Sequence, residues 1–142
     1  LRSSDANGFG SSPVLDLIAG DYTLIVDPAG DATGSYTFRL LDLATAVSIA
    51  QQPASGSSVA GTLTPGNATQ TYAFDAVAGD RVFFDQRTLT GGSAYWRLMD
   101  PGGRQVFFSG FSDVAERTLA VTGRYTLLIE GTIDQTGDVA FQ

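Results

Sequence analysis

Three residue types on which much protein chemistry depends are missing from this sequence: cysteine, histidine and lysine. Without cysteine, the chain can form no disulfide and offers no thiolate to a metal. Without histidine, it lacks both the commonest general base and the commonest transition-metal ligand. A nucleophilic serine would need a carboxylate as its base, and no Gly-x-Ser-x-Gly stretch follows a predicted strand into a helix. These absences argue against a serine hydrolase.

Long apolar runs are also missing, since no stretch approaches the ~20 residues that span a bilayer. The hydrophobic content of 43% and the mean hydropathy of +0.07 indicate a globular chain. A net charge of −7 repels phosphate backbones and argues against nucleic acid as a partner. The chain starts with Leu1-Arg2-Ser3-Ser4 and shows neither an initiator methionine nor a signal-peptide pattern. We therefore expect it to be a piece of a longer protein.

Glycine, threonine, serine, aspartate and β-branched residues are abundant, and they favour short strands joined by tight turns. Apolar residues recur with helical periodicity for no more than about two turns. Turn signals every 8–12 residues separate about ten short strands, which predicts an all-β, antiparallel two-sheet β-sandwich of jelly-roll-like type. The predicted strands are residues 14–18, 22–26, 35–41, 59–63, 70–76, 81–86, 94–99, 105–108, 118–121, 123–130 and 139–141.

An internal repeat divides the chain. Residues 20–27 read Gly-Asp-Tyr-Thr-Leu-Ile-Val-Asp, and residues 123–130 read Gly-Arg-Tyr-Thr-Leu-Leu-Ile-Glu. The match continues in register 103 positions later (123 − 20, 137 − 34, 141 − 38), at the residue pairs Gly20 and Gly123, Gly34 and Gly137, and Phe38 and Phe141. Each copy predicts a hairpin, formed by 22–26 with 35–41 and by 123–130 with 139–141.

The boundary between the copies falls near residue 47. Residues 1–47 are then the second half of a preceding repeat and residues 48–142 a near-complete repeat, within one β-sandwich unit of residues 1–142. Because roughly forty residues rarely fold alone, the first part either adds strands to the second copy in one continuous sandwich or pairs with another chain. We favour the first alternative.

Three segments resemble a known family. Residues 69–80 (Thr-Gln-Thr-Tyr-Ala-Phe-Asp-Ala-Val-Ala-Gly-Asp) look like its opening strand and glycine turn. Residues 98–103 (Leu-Met-Asp-Pro-Gly-Gly) look like its central hairpin, and residues 120–127 (Ala-Val-Thr-Gly-Arg-Tyr-Thr-Leu) look like its closing strand. In this order they are similar to the bacterial pre-peptidase C-terminal domain, in the tandem-repeat form of large surface or secreted proteins. The resemblance covers residues 59–142 and, through the repeat, residues 14–41.

The resemblance implies a jelly-roll-like sandwich without catalysis of its own, an extracellular location and, in some members, calcium or polymer binding. The calcium-binding members use clustered acidic side chains ahead of the first strand. Residues 48–69 contain no aspartate or glutamate, so that site does not transfer to the second copy.

Two acidic loops could hold calcium, a hard cation that prefers several oxygen ligands. They carry Asp27 and Asp31 in the first copy and Asp134 and Asp138 in the second, and Asp31 and Asp134 are equivalent in the repeat. The segment Asp5-Ala6-Asn7-Gly8 is a third, weaker candidate. The alternative interpretation is that these aspartates stabilise solvated turns.

Aromatic pairs offer a candidate ligand surface. Tyr95 and Trp96 are adjacent on a predicted strand, as are Phe107 and Phe108 on the next, so one member of each pair should point outward. Exposed aromatics there could stack on sugar rings, and the alternative is that they pack in the core.

Paired carboxylates could hydrolyse glycosides if held ~5–9.5 Å apart. Only two of the 15 acidic residues are glutamates, Glu116 and Glu130, and most aspartates lie beside glycine or proline as turn formers. We therefore expect no enzyme.

The expected function is that of a non-catalytic repeat module, serving as a spacer or adhesion element in a secreted or cell-surface bacterial protein. Its expected partners are neighbouring repeats of the same chain and, beyond them, extracellular polysaccharide or protein. The alternative is a carbohydrate- or polymer-binding module that uses Tyr95 and Trp96. No cofactor is expected, with calcium as the one candidate ion.

Overall fold

The structure is a computed structural model that describes residues 14–15, 17–27, 30–31, 33–50 and 56–142. Within these residues there is no α-helix, only a 3-10 turn at Leu43–Thr45, and hence no helix that could cross a membrane. The strands are β1 (Val47–Ser48), β2 (Gly61–Leu63), β3 (Thr69–Ala76), β4 (Arg81–Phe84), β5 (Leu89–Thr90), β6 (Ala94–Met99), β7 (Gln105–Gly110), β8 (Val114–Thr118), β9 (Gly123–Gly131) and β10 (Val139–Phe141).

A five-stranded main sheet has the order β1-β3-β9-β6-β7. The central strand β9 pairs antiparallel with β3 on one side and β6 on the other, and only β1 runs parallel to its neighbour. The segment that repeats in the sequence is therefore the middle of the main sheet. Its glycine entry at Gly123 has φ +143, and a Cβ there would lie 2.9 Å from Pro101.

The second layer of the sandwich is split into two small sheets, β2-β10-β5 and β4-β8. The core lies between this layer and the main sheet, where Tyr72 meets Phe141 and Trp96 meets Phe84 with ring centroids 6.4 and 5.8 Å apart. The predicted all-β, antiparallel sandwich is confirmed.

The predicted hairpin of residues 123–130 with 139–141 is wrong. β9 belongs to the main sheet, and β10 lies in the second layer, paired with β2 and β5. Residues 132–138 form a connection longer than a tight hairpin turn, so the chain can cross from one layer to the other. Ile129 and Phe141 consequently enter the same core from opposite layers and do not lie on neighbouring strands.

The Asp100-Pro101-Gly102-Gly103 turn joins β6 and β7 as predicted. Asp100 Oδ1 accepts hydrogen bonds of 2.9 Å from the backbone N–H groups of Gly102 and Arg104, and Arg104 Nε lies 2.9 Å from Asp100 Oδ2. Gly103 has φ +72, a conformation that glycine adopts without steric cost.

The described residues before Ala46 differ from the prediction. Residues 17–27 and 33–41, here called the N-terminal segment, contain no strand, so the strands predicted at 22–26 and 35–41 are not formed. Residues 14–18 likewise form no strand in their described part. The segment touches the sandwich through Arg39, which donates to Asn67 O at 3.0 Å and to Thr69 Oγ1 at 3.2 Å.

Candidate binding surfaces

The outer face of the main sheet, turned away from the core, carries a stacked aromatic pair. The rings of Tyr95 and Phe108 lie 5.2 Å apart at an interplanar angle of 21°. Tyr95 is 39% exposed and Phe108 is 46% exposed. They reach this face because β6 and β7 pair in a register that places Arg97 opposite Phe108 and Tyr95 two positions away. We call Tyr95 and Phe108 the aromatic patch.

A buried ion pair supports the aromatic patch. Arg97 Nε lies 3.0 Å from Glu130 Oε1, and a second guanidinium nitrogen lies 3.4 Å from Glu130 Oε2. The third guanidinium nitrogen donates to Gln105 Oε1 at 2.6 Å. The guanidinium carbon lies 4.5 Å from the centroid of the Phe108 ring, a cation–π geometry. Arg97 thereby fixes the position of Phe108 and links β6, β7 and β9.

Burial decides the protonation behaviour of Glu130. Removing its carboxylate from water raises the pKa, and the hydrogen bonds and charge of Arg97 only partly offset this. At Asp100, burial also acts to raise the pKa, but hydrogen bonds from Arg104 and Gly102 and the charge of Arg104 outweigh it, so the pKa is lowered. Each of the two carboxylates forms an ion pair with an arginine, Glu130 with Arg97 and Asp100 with Arg104. Both pairs stabilise the main sheet.

Trp96 is not part of the surface, so its prediction as a ligand-binding residue is wrong. It is 4% exposed and packs in the core against the rings of Phe84, Phe107 and Phe111, at centroid distances of 5.8, 6.4 and 4.5 Å. The alternation argument itself is confirmed, because Tyr95 and Phe108 point outward while their neighbours point inward. Tyr95 remains a candidate for ligand contact.

Sequence reasoning missed Arg97, Gln105 and Glu130 as neighbours of the aromatic patch. Arg97 and Glu130 are 33 positions apart, and they meet only because β6 and β9 pair in this register. The sequence indicates which residues of each strand point inward or outward, but it does not indicate that β6 pairs with β9.

The four candidate metal ligands, Asp27, Asp31, Asp134 and Asp138, all have exposed side chains. Across the described ranges, no group of three or more histidine, cysteine, aspartate or glutamate residues is arranged to hold a metal ion. The Asp5-Ala6-Asn7-Gly8 segment lies outside the described residues. Calcium binding at the two loops stays a prediction.

The N-terminal segment is a second candidate surface because it exposes many large apolar side chains. They are Leu17, Ile18, Tyr22, Leu24, Ile25, Val26, Tyr36, Phe38 and Leu40. Within it, Tyr22 Oη donates to the carbonyl oxygen of Ile18 at 2.6 Å. The same bond, from Tyr125 Oη to Val121 O at 2.7 Å, occurs 103 positions later. This one hydrogen bond is thus present in both copies, although the described residues of the first copy form no strand.

The fold and these surfaces define an antiparallel β-sandwich protein with an exposed apolar N-terminal segment. Comparison with protein-family models and with curated proteins finds no match. Among solved structures, the chain is similar to Aeromonas hydrophila PliG, a periplasmic lysozyme inhibitor of g-type lysozyme, with a TM-score of 0.56 and 16% identity over 68% of this chain and 90% of that chain. PliG of Salmonella Typhimurium, an inhibitor of the same kind, has a TM-score of 0.47 and 20% identity over 68% of this chain and 95% of that chain. At this identity, the likeness to the Aeromonas protein shows a shared fold.

Proposed function

We propose that this chain is a non-catalytic β-sandwich repeat module of a secreted or cell-surface bacterial protein, where it serves as a spacer or adhesion element. One observation carries the proposal: the tyrosine bond that closes the entry to β9 is present twice, 103 positions apart, at Tyr22 and Tyr125. Tyrosine bonds of this kind mark corners of β-sandwiches. A second corner outside the complete sandwich is what a neighbouring unit would contribute.

The state of the carboxylates supports a non-catalytic role. Glu130 and Asp100 are the buried carboxylates among the described residues, and each is bound to an arginine. Glu116, the other glutamate, is exposed and forms an ion pair with Arg81. A general acid or base has to be free to exchange its proton with substrate. The ion pairs with arginine hinder such an exchange at these carboxylates.

The structural comparison supports a location outside the cytoplasm and a protein partner. Aeromonas hydrophila PliG is periplasmic and inhibits a protein, g-type lysozyme. Its fold therefore functions in the cell envelope and presents a protein-binding surface. The present chain shares that fold, and we extend both properties to it as part of the proposal.

Antibody labelling of the source bacterium tests the proposal. Antibodies raised against the full chain should label intact cells, or the protein should appear in the culture medium, while an antibody to a cytoplasmic protein labels only permeabilised cells. Labelling that requires permeabilisation, with nothing in the medium, would contradict a surface or secreted module.

A second candidate function is carbohydrate or polymer binding at the aromatic patch, and the exposed Tyr95–Phe108 stack favours it. Aromatic faces stack on apolar ring faces, and the guanidinium of Arg97 and the amide of Gln105 lie beside them. Glycan-array binding that is lost in Tyr95→Ala and Phe108→Ala would support it. Phe83→Ala is the matched control, because Phe83 is also an exposed aromatic but lies on β4. Equal loss in the control, or no glycan bound by the unsubstituted chain, would retire this function.

A further inference from the structure

We propose that residues 20–38 complete a second β-sandwich unit, supplying it with the strands that β9 and β10 supply here. The partner is thus a β-sandwich that presents strands like β3 and β6 with an empty position between them, and strands like β2 and β5 likewise. This inference rests on the proposed function and names the partner that the repeat module engages.

The exposure of equivalent residues carries the argument. Leu127 is 6% exposed in β9, whereas its counterpart Leu24 is 66% exposed. Phe141 is 3% exposed in β10, whereas its counterpart Phe38 is 64% exposed. The same residue types in the same order are therefore buried in one copy and in water in the other. Burial of apolar surface is the main force that drives strands into a sandwich. In the first copy, the equivalent apolar surface is still exposed to water.

The position that the segment would fill follows from the pairing of β9. In this chain β9 lies between β3 and β6, with Leu127 opposite both Tyr72 and Leu98. Leu24 would occupy the equivalent place between two strands of the partner. The corresponding place in this chain's own sandwich is already filled by β9, so the segment cannot enter it without displacing that strand.

Charge adds a second requirement on the partner. Asp27 stands at the position of Glu130, which binds the buried Arg97. If the partner has an arginine at the position of Arg97, Asp27 would therefore provide the carboxylate that pairs with it. At the other end, Asp21 replaces Arg124, which lies opposite Asp75. An aspartate at that position of the partner would repel Asp21, so we expect a neutral or basic residue there.

One local contact of the segment already matches the equivalent contact of the complete unit. The Tyr22–Ile18 bond is formed although the side chain of Tyr22 is exposed. In the complete unit, the equivalent bond directs the chain into β9 from Val121. Because this corner exists before the partner binds, less ordering is needed on association.

An extended chain tests the inference. The sequence of residues 42–119 is fused ahead of residues 17–142, so that the repeat register is continuous and residues 20–38 follow a complete set of partner strands. Asp21→Arg is included, because the grafted copy carries Asp75. Hydrogen exchange at residues 20–27 and 36–38 should become on the order of a hundredfold slower than in the original chain. Exchange that stays as fast as in the original chain would overturn the inference.

Leu24→Asp gives the matched control in both chains. In the extended chain it should abolish the new protection, because an aspartate would enter the core. In the original chain it should leave the melting temperature unchanged, because Leu24 is exposed there. A lowered melting temperature of the original chain would mean that the segment packs on its own sandwich, which also overturns the inference. Surface labelling of cells decides the proposed function separately, so the two can fail independently.

Discussion

Tyr125 donates its hydroxyl proton to the carbonyl oxygen of Val121, four residues upstream, over 2.7 Å. The backbone N–H of Val121 points back to the same hydroxyl at 3.2 Å, so one phenol serves both polar groups of that residue. The ring is buried and stacks on Phe74 at 5.7 Å. This corner ties the entry of β9 to the core and makes Tyr125 a residue whose hydroxyl has a measurable role.

Removing that hydroxyl should destabilise the fold. Tyr125→Phe removes the hydrogen-bond partner of the part-buried backbone groups of Val121, at a cost of about 0.5–1.5 kcal/mol in the free energy of unfolding. Tyr22→Phe removes the equivalent hydroxyl from an exposed ring and should change the free energy of unfolding by no more than about 0.5 kcal/mol. Urea unfolding of both variants measures the difference. Equal effects would show that the first copy is as well packed as the second.

The Arg97–Glu130 pair should make stability depend on pH in an unusual direction. The folded state holds the proton of Glu130 more tightly than the unfolded state does, because burial raises the pKa. The free energy of unfolding should therefore fall as the pH rises from about 4.3, the ordinary glutamate value, through the raised pKa of the folded state. Glu130→Gln should remove this part of the pH profile, and urea unfolding at a series of pH values records it.

Glu116→Gln is the control for the pH profile, since Glu116 is the exposed glutamate and pairs with Arg81 at the surface. An exposed pair contributes at most about 1 kcal/mol, so this variant measures what the removal of a surface glutamate alone does to the profile. A wild-type profile that rises with pH in step with Glu130→Gln would contradict the raised pKa.

Removing the arginine tests the same pair from the other side. Arg97→Met leaves the buried carboxylate of Glu130 without the two guanidinium contacts and should cost about 3–5 kcal/mol near neutral pH. Acid should restore part of the loss, because a protonated Glu130 no longer carries a buried charge. Urea unfolding at low and neutral pH measures this recovery, and its absence would mean that lost packing rather than charge explains the cost.

Asp100 should show the opposite pH behaviour. Hydrogen bonds from Arg104 and Gly102 favour its charged form and lower the pKa. Its contribution to the free energy of unfolding is present above about pH 3.9 and is lost as the pH falls through the lowered pKa. Asp100→Asn should flatten the acid end of the stability profile, and Asp75→Asn, at an exposed aspartate, is the control. A profile unchanged by Asp100→Asn would contradict the lowered pKa.

The strands predicted best are those that local patterns define. β6 and β10 match residues 94–99 and 139–141 at both ends, because most of their side chains are apolar and glycine-containing turns precede them. The sequence predicts a strand at residues 118–121, whereas β8 spans Val114–Thr118. The difference arises because most side chains of β8 are exposed and polar. β8 is stabilised by backbone pairing with β4 and by the Arg81–Glu116 ion pair. Neither interaction produces an apolar pattern in the sequence from which the strand could be predicted.

Local sequence patterns do not predict which distant strands pair with each other. β9 and β10 are consecutive along the chain, which favours a hairpin, yet the core places them in opposite layers. The neighbours of the aromatic patch depend on the same non-local pairing, since Arg97 meets Glu130 only through the register of β6 and β9. For the N-terminal segment, strand propensity predicts strands, but none of the strands that the structure describes pairs with it.

Tyr95 and Trp96 are neighbours in sequence but should separate sharply in mutagenesis. Trp96→Ala empties a core site lined by three aromatic rings and should cost about 3–5 kcal/mol of unfolding free energy. Tyr95→Ala removes one exposed ring that stacks on Phe108 and should cost about 0.5–1.5 kcal/mol. Urea unfolding of the two variants under the same conditions gives the comparison.

Any ligand binding should follow the reverse order. Tyr95→Ala should weaken binding to a glycan that the chain recognises, while Trp96→Phe, which keeps an aromatic ring in the core, should leave affinity unchanged. Titration calorimetry with the strongest glycan from the array measures both. If Trp96→Phe lowers affinity as much as Tyr95→Ala while the fold remains intact, the ligand site lies on the core side of β6 and the assignment to the outer face is wrong.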